Sequence, residues 1–198
     1  MPEEPTPTVK HPPLRADARR NREKLVEIAA LAFSEQGASA SLEDIARRAG
    51  VGIGTLYRHF PTREHLVESV YRRELELLAA AARAFMAEEE PEMAVEKWMY
   101  RFVDYMATKR GMANSLKLLF TSNSALFSEG STLLHTAFED LLAHAREAHA
   151  VKGDIDAADV LNALFGVYSI PEGPDWRLRA QRIVRLVMDG LRTNPGAT

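Results

Sequence analysis

Apolar side chains recur along this chain with the 3.6-residue period of a helix, and no run of strand-like alternation interrupts them. An all-α protein is the prediction. A first helix is expected from about Arg15 to Gln36, with Leu25, Ile28, Ala29 and Ala32 on one face and Gly37 as its stop signal. A short second helix follows Ser41, whose hydroxyl is placed to accept from the amide of Asp44, and buries Leu42, Ile45, Ala46 and Ala49. Gly50 permits a tight turn, Val51 plugs the core, and a third helix covers roughly Ile53 to Phe60 before Pro61 ends it.

Thr62 caps a long fourth helix reaching about Ala87, which carries Leu66, Val70, Tyr71, Leu78 and Phe85 and bridges front and body. Pro91 opens a fifth, with Val95, Trp98, Met99, Phe102 and Met106 at helical spacing. A short helix over Met112 to Phe120 comes next, and then a polar loop through Gly130. Ser131 or Thr132 starts the next helix, which turns Leu134, Phe138, Leu141, Leu142 and Ala145 inward and ends near Gly153. The last two helices span about Asp156 to Tyr168 and Asp175 to Thr193. The pattern divides the chain into a flexible N-terminal arm over 1–14, a helix-turn-helix module over 15–61 and a helical body over 62–194.

The final helix carries two apolar stripes side by side, Val184, Val187, Met188 and Leu191 beside Ile183, Leu186 and Gly190. An arc this wide suits a helix held between its own core and a second subunit. Leu161, Leu164, Phe165 and Tyr168 give the preceding helix a similar face. A symmetric homodimer through a four-helix seam is therefore expected, its interface drawn from Leu161, Leu164, Phe165, Tyr168, Val184, Val187, Met188 and Leu191. A fully interior last helix in a monomer is the alternative.

Composition narrows the function. With 198 residues, 46% hydrophobic and 27% charged, the chain reads as a globular protein. It has no cysteine, which removes disulfides, thiolate metal sites and cysteine nucleophiles together. The start lacks the basic and apolar run of a secretory signal, and the most apolar stretch, Leu77 to Ala87, is interrupted by Arg83. A cytoplasmic protein without a membrane span is expected. The net charge of −3 hides an asymmetry: Lys10 to Arg73 holds 12 basic and 8 acidic residues, whereas Glu74 to Thr198 holds 13 and 18. A basic front on an acidic body suits a polyanion partner for the front alone.

The decisive constellation is Ser41 to Phe60, SLEDIARRAGVGIGTLYRHF. A helix-turn-helix needs a small residue where its helices cross, a turn residue that tolerates positive φ, and an apolar plug beneath the second helix. Ala46, Gly50 and Val51 stand at those places. The second helix then enters the major groove. Its outward positions offer Gly54 for close backbone approach, Thr55 for a base edge or phosphate and Ile53 for a thymine methyl. Tyr57, His59 and Arg63 supply donors suited to phosphate, and Arg58 fits either task. A helical hairpin with a solvated charged face would account for Arg47, Arg48 and Arg58 by themselves. It would not account for the glycine turn and the aromatic-basic mixture.

GVGIGTLYRHFPTREHLVESVY resembles the signature of the TetR-type regulators, in which a helix-turn-helix ends in Thr-Leu-Tyr-x-x-Phe and runs into a long fourth helix. The motif covers Asn21 to Tyr71. Beyond it the resemblance lies in the number, order and length of helices. It implies a three-helix DNA-binding module, a larger helical domain with an internal pocket, and dimerisation by the last two long helices. By position Thr55 and Tyr57 match residues that contact DNA, and Arg63 matches a site usually held by a phosphate-binding lysine. Gly52 departs from a frequent serine, which keeps an N-cap and loses a hydroxyl. The full DNA-facing set is then Ser41, Arg47, Gly52, Ile53, Gly54, Thr55, Tyr57, Arg58, His59 and Arg63, against double-stranded operator DNA.

In the body, Trp98, Met99, Phe102, Met106, Leu119, Phe120, Leu134 and Phe138 are the candidates to line a pocket for an apolar or amphipathic small-molecule effector, or to form plain core. Such a ligand would act by shifting the fourth helix and with it the spacing of two recognition helices. No catalytic residue, cofactor or metal is expected. No Glu has His three residues later, neither His-Glu-x-x-His nor Gly-Lys-Ser/Thr occurs, and His135, His144 and His149 lack ligand spacing. A helical-bundle enzyme, and a DNA-binding regulator without an effector, remain the alternatives.

Overall fold

A computed structural model of the chain describes residues 14–193. The arm expected over 1–14 lies outside them apart from Leu14, which opens the first helix. Among the described residues the regular structure is helical, with one isolated bridge between Val151 and Arg192. The N-terminal module consists of α1 (Leu14–Gln36), α2 (Leu42–Ala49) and α3 (Ile53–His59). Then come α4 (Arg63–Glu88), α5 (Pro91–Gly111), α6 (Ala113–Ser122), α7 (Ser124–Glu147), α8 (Ala157–Phe165) and α9 (Trp176–Leu191). No helix among the described residues is long and apolar enough to cross a membrane.

One continuous apolar core joins module and body, because α4 packs against α1, α5, α6 and α7 while α5 packs against α1, α7 and α9. The helix signals act as their chemistry demands. The Ser41 hydroxyl accepts from the Asp44 amide at 3.0 Å, and Pro91 occupies the first turn of α5, where a missing N–H costs nothing. In the middle of the body the Trp98 ring lies 4.8 Å from Phe138 and 5.8 Å from Phe102, and its indole N–H donates to the Leu78 carbonyl at 2.9 Å. A buried indole thus finds its acceptor on α4.

Two expectations change here. The stretch read as a polar loop through Gly130 is the first part of α7, which begins at Ser124 under an Asn123 cap instead of at Ser131 or Thr132. Gly130 is not a turn residue. A Cβ on it would stand 2.6 Å from Leu75 Cδ1 and 3.0 Å from the Tyr71 hydroxyl, so Gly130 lies inside α7 against the ends of two α4 side chains. The seam residues are also redistributed. Leu161, Leu164, Val184, Met188 and Leu191 are sealed inside the protomer's own core, and Val187 is half-buried. Phe165 and Tyr168 stay exposed, and the outward stripe of α9 is Leu178 and Leu186, the latter 72% exposed. The two stripes of the helix therefore differ: the inner one packs into the chain's own core, and the outer one faces away from it.

Module and body meet closely where α1 crosses the end of α5. A Cβ on Gly111 would fall 2.7 Å from the carbonyl carbon of Phe33 and nearer still to its oxygen. Backbone, not a flexible side chain, blocks that space. Gly111→Ala should therefore cost about 1–3 kcal/mol by overpacking. Each kcal/mol lowers the thermal midpoint by about 2–4 °C for a chain of this size, and calorimetry on the variant checks it.

Candidate nucleic-acid interface

The turn between α2 and α3 is built from Gly50 at φ +71°, whose amide closes α2 onto the carbonyls of Ala46 and Arg47. A side chain would strain this left-handed backbone. The Val51 amide follows by donating to the Ala46 carbonyl at 3.0 Å, so the small Ala46 sits at the heart of the turn. Beneath α3, Leu56 and Phe60 are fully buried, together with Ile45 and Ala49 from α2. These contacts leave one side of α3 facing outward.

On that side Gly52, Ile53, Gly54, Tyr57 and Arg58 are exposed, Ile53 by 37% and Tyr57 by 44%, while Thr55 and His59 are half-buried. Large apolar and aromatic groups presented to solvent on a seven-residue helix carry no folding advantage in the protomer. Gly52 caps α3 without a side-chain hydrogen bond, which leaves the first amides of the helix open to an anion. Ser41 spends its hydroxyl on the α2 cap. Exposed Arg47 pairs with Asp44, and the amide of Gln36, donating to Asp44 at 3.2 Å, together with Arg47 holds that carboxyl below its usual range.

Arg63 stands apart from the other predicted residues. Its guanidinium donates to the Ala40 carbonyl at 2.7 Å and lies 5.0 Å over the Phe33 ring, so the first residue of α4 grips the α1 end and the connection into α2. A second strut was not read from the sequence. Arg22 on α1 lies 5.0 Å over the Phe60 ring and donates to the Ser69 hydroxyl at 2.9 Å, tying α1 to the end of α3 and to α4. Its only sequence signal is one arginine among several on α1, and the partners lie 38 and 47 positions away.

The body candidates divide. Trp98, Met99, Phe102, Met106, Leu119, Leu134 and Phe138 are buried, with Trp98 stacked on Phe102 and meeting Phe138 at a tilt. Phe120 is 59% exposed, because Leu116 and Leu119 take the inner face of α6 and the next residue turns about 100° away from Leu119. Its ring meets Phe127 edge-on at 5.2 Å. Phe120 therefore does not line the interior. Among the described residues no group of three or more His, Asp or Glu is arranged to hold a metal ion.

Residues 25–70 match the family described as bacterial regulatory proteins, tetR family, and residues 90–193 match the C-terminal domain described as transcriptional regulator SbtR-like. The solved TetR transcriptional regulator SCO0520 of Streptomyces coelicolor is 41% identical, covering 89% of this chain and 99% of its own at a TM-score of 0.78. A TetR transcription regulatory protein of Mycobacterium vanbaalenii is 34% identical, covering 91% of this chain and 100% of its own at 0.71. An HTH-type transcriptional regulator of Staphylococcus aureus (strain USA300) is 42% identical over 65 residues, so the match spans 35% of that relative's length. A helix-turn-helix held by Gly50, Ala46 and Val51, matches at both ends of the chain, and relatives aligned over nearly their whole length agree: the chain belongs to the TetR family of transcriptional regulators and carries its DNA-binding helix-turn-helix.

Proposed function

We propose that this protein is a repressor that binds near-palindromic operator DNA as a homodimer and leaves it when a small apolar or amphipathic effector binds the body. It performs no catalysis, and operator binding places it in the cytoplasm. The observation that carries the DNA-binding reading is the outward face of α3, where Ile53, Tyr57 and Arg58 are presented over a buried Leu56 and Phe60. Inserted in the major groove, Ile53 and Thr55 meet base edges and Gly54 lets the backbone close in. Tyr57 and His59 hold phosphates, with Arg47 beside them on α2 and Arg58 free to serve either role.

The dimer reading rests on the outer faces of α8, the turn that follows it and α9, where Phe165, Tyr168, Leu178 and Leu186 are exposed. Facing a second copy, these helices form the four-helix seam. The release reading rests on α4, whose 26 residues begin at Arg63 beside the module and pass Trp98 in the body through the Leu78 carbonyl. An effector that displaces α4 changes the separation of the recognition helices, and it reverses binding only by favouring the non-binding arrangement.

Selection from random duplex DNA should enrich a near-palindrome with half-sites about one helical turn, roughly 34 Å, apart; a site without two-fold symmetry would contradict the dimer. On the selected operator, Tyr57→Phe should weaken binding similarly across sequences, whereas Thr55→Ala should also relax base preference. A sequence-selective loss from the tyrosine change would contradict its phosphate role.

Arg63 gives a separate test, because its guanidinium donates to the Ala40 carbonyl and stacks on Phe33 inside the protein. Arg63→Ala should destabilise the fold by about 1–2 kcal/mol through the lost hydrogen bond and stacking. The slope of operator affinity against salt should stay unchanged, whereas loss of a phosphate contact would lower it by about 0.9. Arg63→Lys should not restore stability, since an ammonium lacks the planar stacking face and the fork of donors.

A further inference from the structure

The buried part of α1 is short. It runs from Leu25 to Phe33, little more than two turns or about 12 Å, and ends where the Phe33 carbonyl meets Gly111. Between residues 16 and 24 no side chain of the helix is buried. At that level α1 and α4 border an open cleft of about 360 Å³, lined by Val26, Ser69, Arg72 and Arg73 among others. Apolar packing holds one end of α1 and leaves its direction over α4 to whatever crosses the cleft.

Arg22 crosses it, 11 residues or about 16 Å before Phe33 along the helix. Its guanidinium lies 5.0 Å over the Phe60 ring and donates to the Ser69 hydroxyl at 2.9 Å. A planar guanidinium can stack with its face and donate with its edge at once. The carboxylates at hand are directed to other cations: Glu23 faces Arg19 at 2.8 Å, and Glu68 faces Arg72 at 3.1 Å. Phe60 is 1% exposed and closes α3, its amide donating to the Leu56 carbonyl at 2.8 Å. One exposed side chain of α1 thus joins the end of the recognition helix to α4.

The lever is long enough to matter. From Phe60 to Ile53 at the other end of α3 is about 10 Å, so a tilt of about 10° moves Ile53 by about 2 Å, more than a hydrogen bond to a base edge tolerates. We propose that Arg22 is a positioning residue. By clipping the end of α3 to Ser69 of α4 it fixes the tilt of the recognition helix, and with it the half-site separation that the protein accepts, without touching DNA. The half-site consequence rests on the dimeric operator reading; the tilt does not.

The chain has no cysteine, so Arg58→Cys on α3 and Glu88→Cys at the far end of α4, both exposed, give unique spin-label positions. Labelled full-length protein is mixed with excess unlabelled protein, and the distance within one protomer is read by pulsed electron resonance. Adding Arg22→Met, which keeps the stem and removes the donors, or Ser69→Ala, which removes the acceptor on α4, should broaden or shift that distance. An unchanged distance in either variant overturns the proposal. In an otherwise unaltered chain, both changes should narrow the preference for the selected operator over versions with one base pair inserted or removed between half-sites, at least about threefold. They should leave the salt slope of affinity unchanged; a slope lowered by about 0.9 in Arg22→Met makes Arg22 a phosphate ligand and overturns the proposal. If the unaltered protein shows no spacing preference, the dimeric operator reading fails and the label distances still decide the role of Arg22.

Discussion

The carbonyl of Phe33 lies so close to Gly111 that no side chain fits between them, and the ring of the same residue sits under the guanidinium of Arg63. Phe33 itself is fully buried. Through this one residue α1 is held by the end of α5 and by the start of α4 at once. Because α2 and α3 pack on α1, the direction in which α3 points is fixed relative to the body and not only within the module. Close packing of this kind is either made or broken, with little between, so α1 holds the module to the body through one tight joint.

The electrostatic arrangement reinforces that joint instead of competing with it. Arg22 and Arg63 face aromatic rings and accept their constraints through hydrogen bonds, to the Ser69 hydroxyl and the Ala40 carbonyl. Arg48 on α2 pairs with Glu35 on α1 at 2.9 Å. These basic residues stabilise the module internally, which leaves Arg58 and the aromatic Tyr57 on the open face. A positive front therefore serves two purposes, and the count of basic residues alone overstates how many are available to a polyanion.

Much of this was legible in the sequence for physical reasons that are local. The period of the apolar residues, the Ser41 and Thr62 caps and the Gly50 turn each act within a few residues of themselves, and the helices stand where those signals put them. What was not legible depends on neighbours distant in sequence. Gly130 looked like a loop residue because a helix-interior glycine is costly unless another helix presses on it, and the pressing residues, Tyr71 and Leu75, are more than fifty positions earlier. The division of α9 into an inner and an outer stripe was visible, but which stripe faces the chain's own core was not. Arg63 matched a family position by number and charge, yet its geometry is set by Phe33 and Ala40.

Operator binding by a homodimer requires α3 to enter the major groove in two places at once. Methylation interference on the operator tests that directly, since dimethyl sulfate modifies guanine N7 at the major-groove edge, where α3 would read. Two-site entry predicts two clusters of interfering guanines on one face of the duplex, centred about 34 Å apart. A single cluster, or interference confined to minor-groove adenine positions, would contradict it.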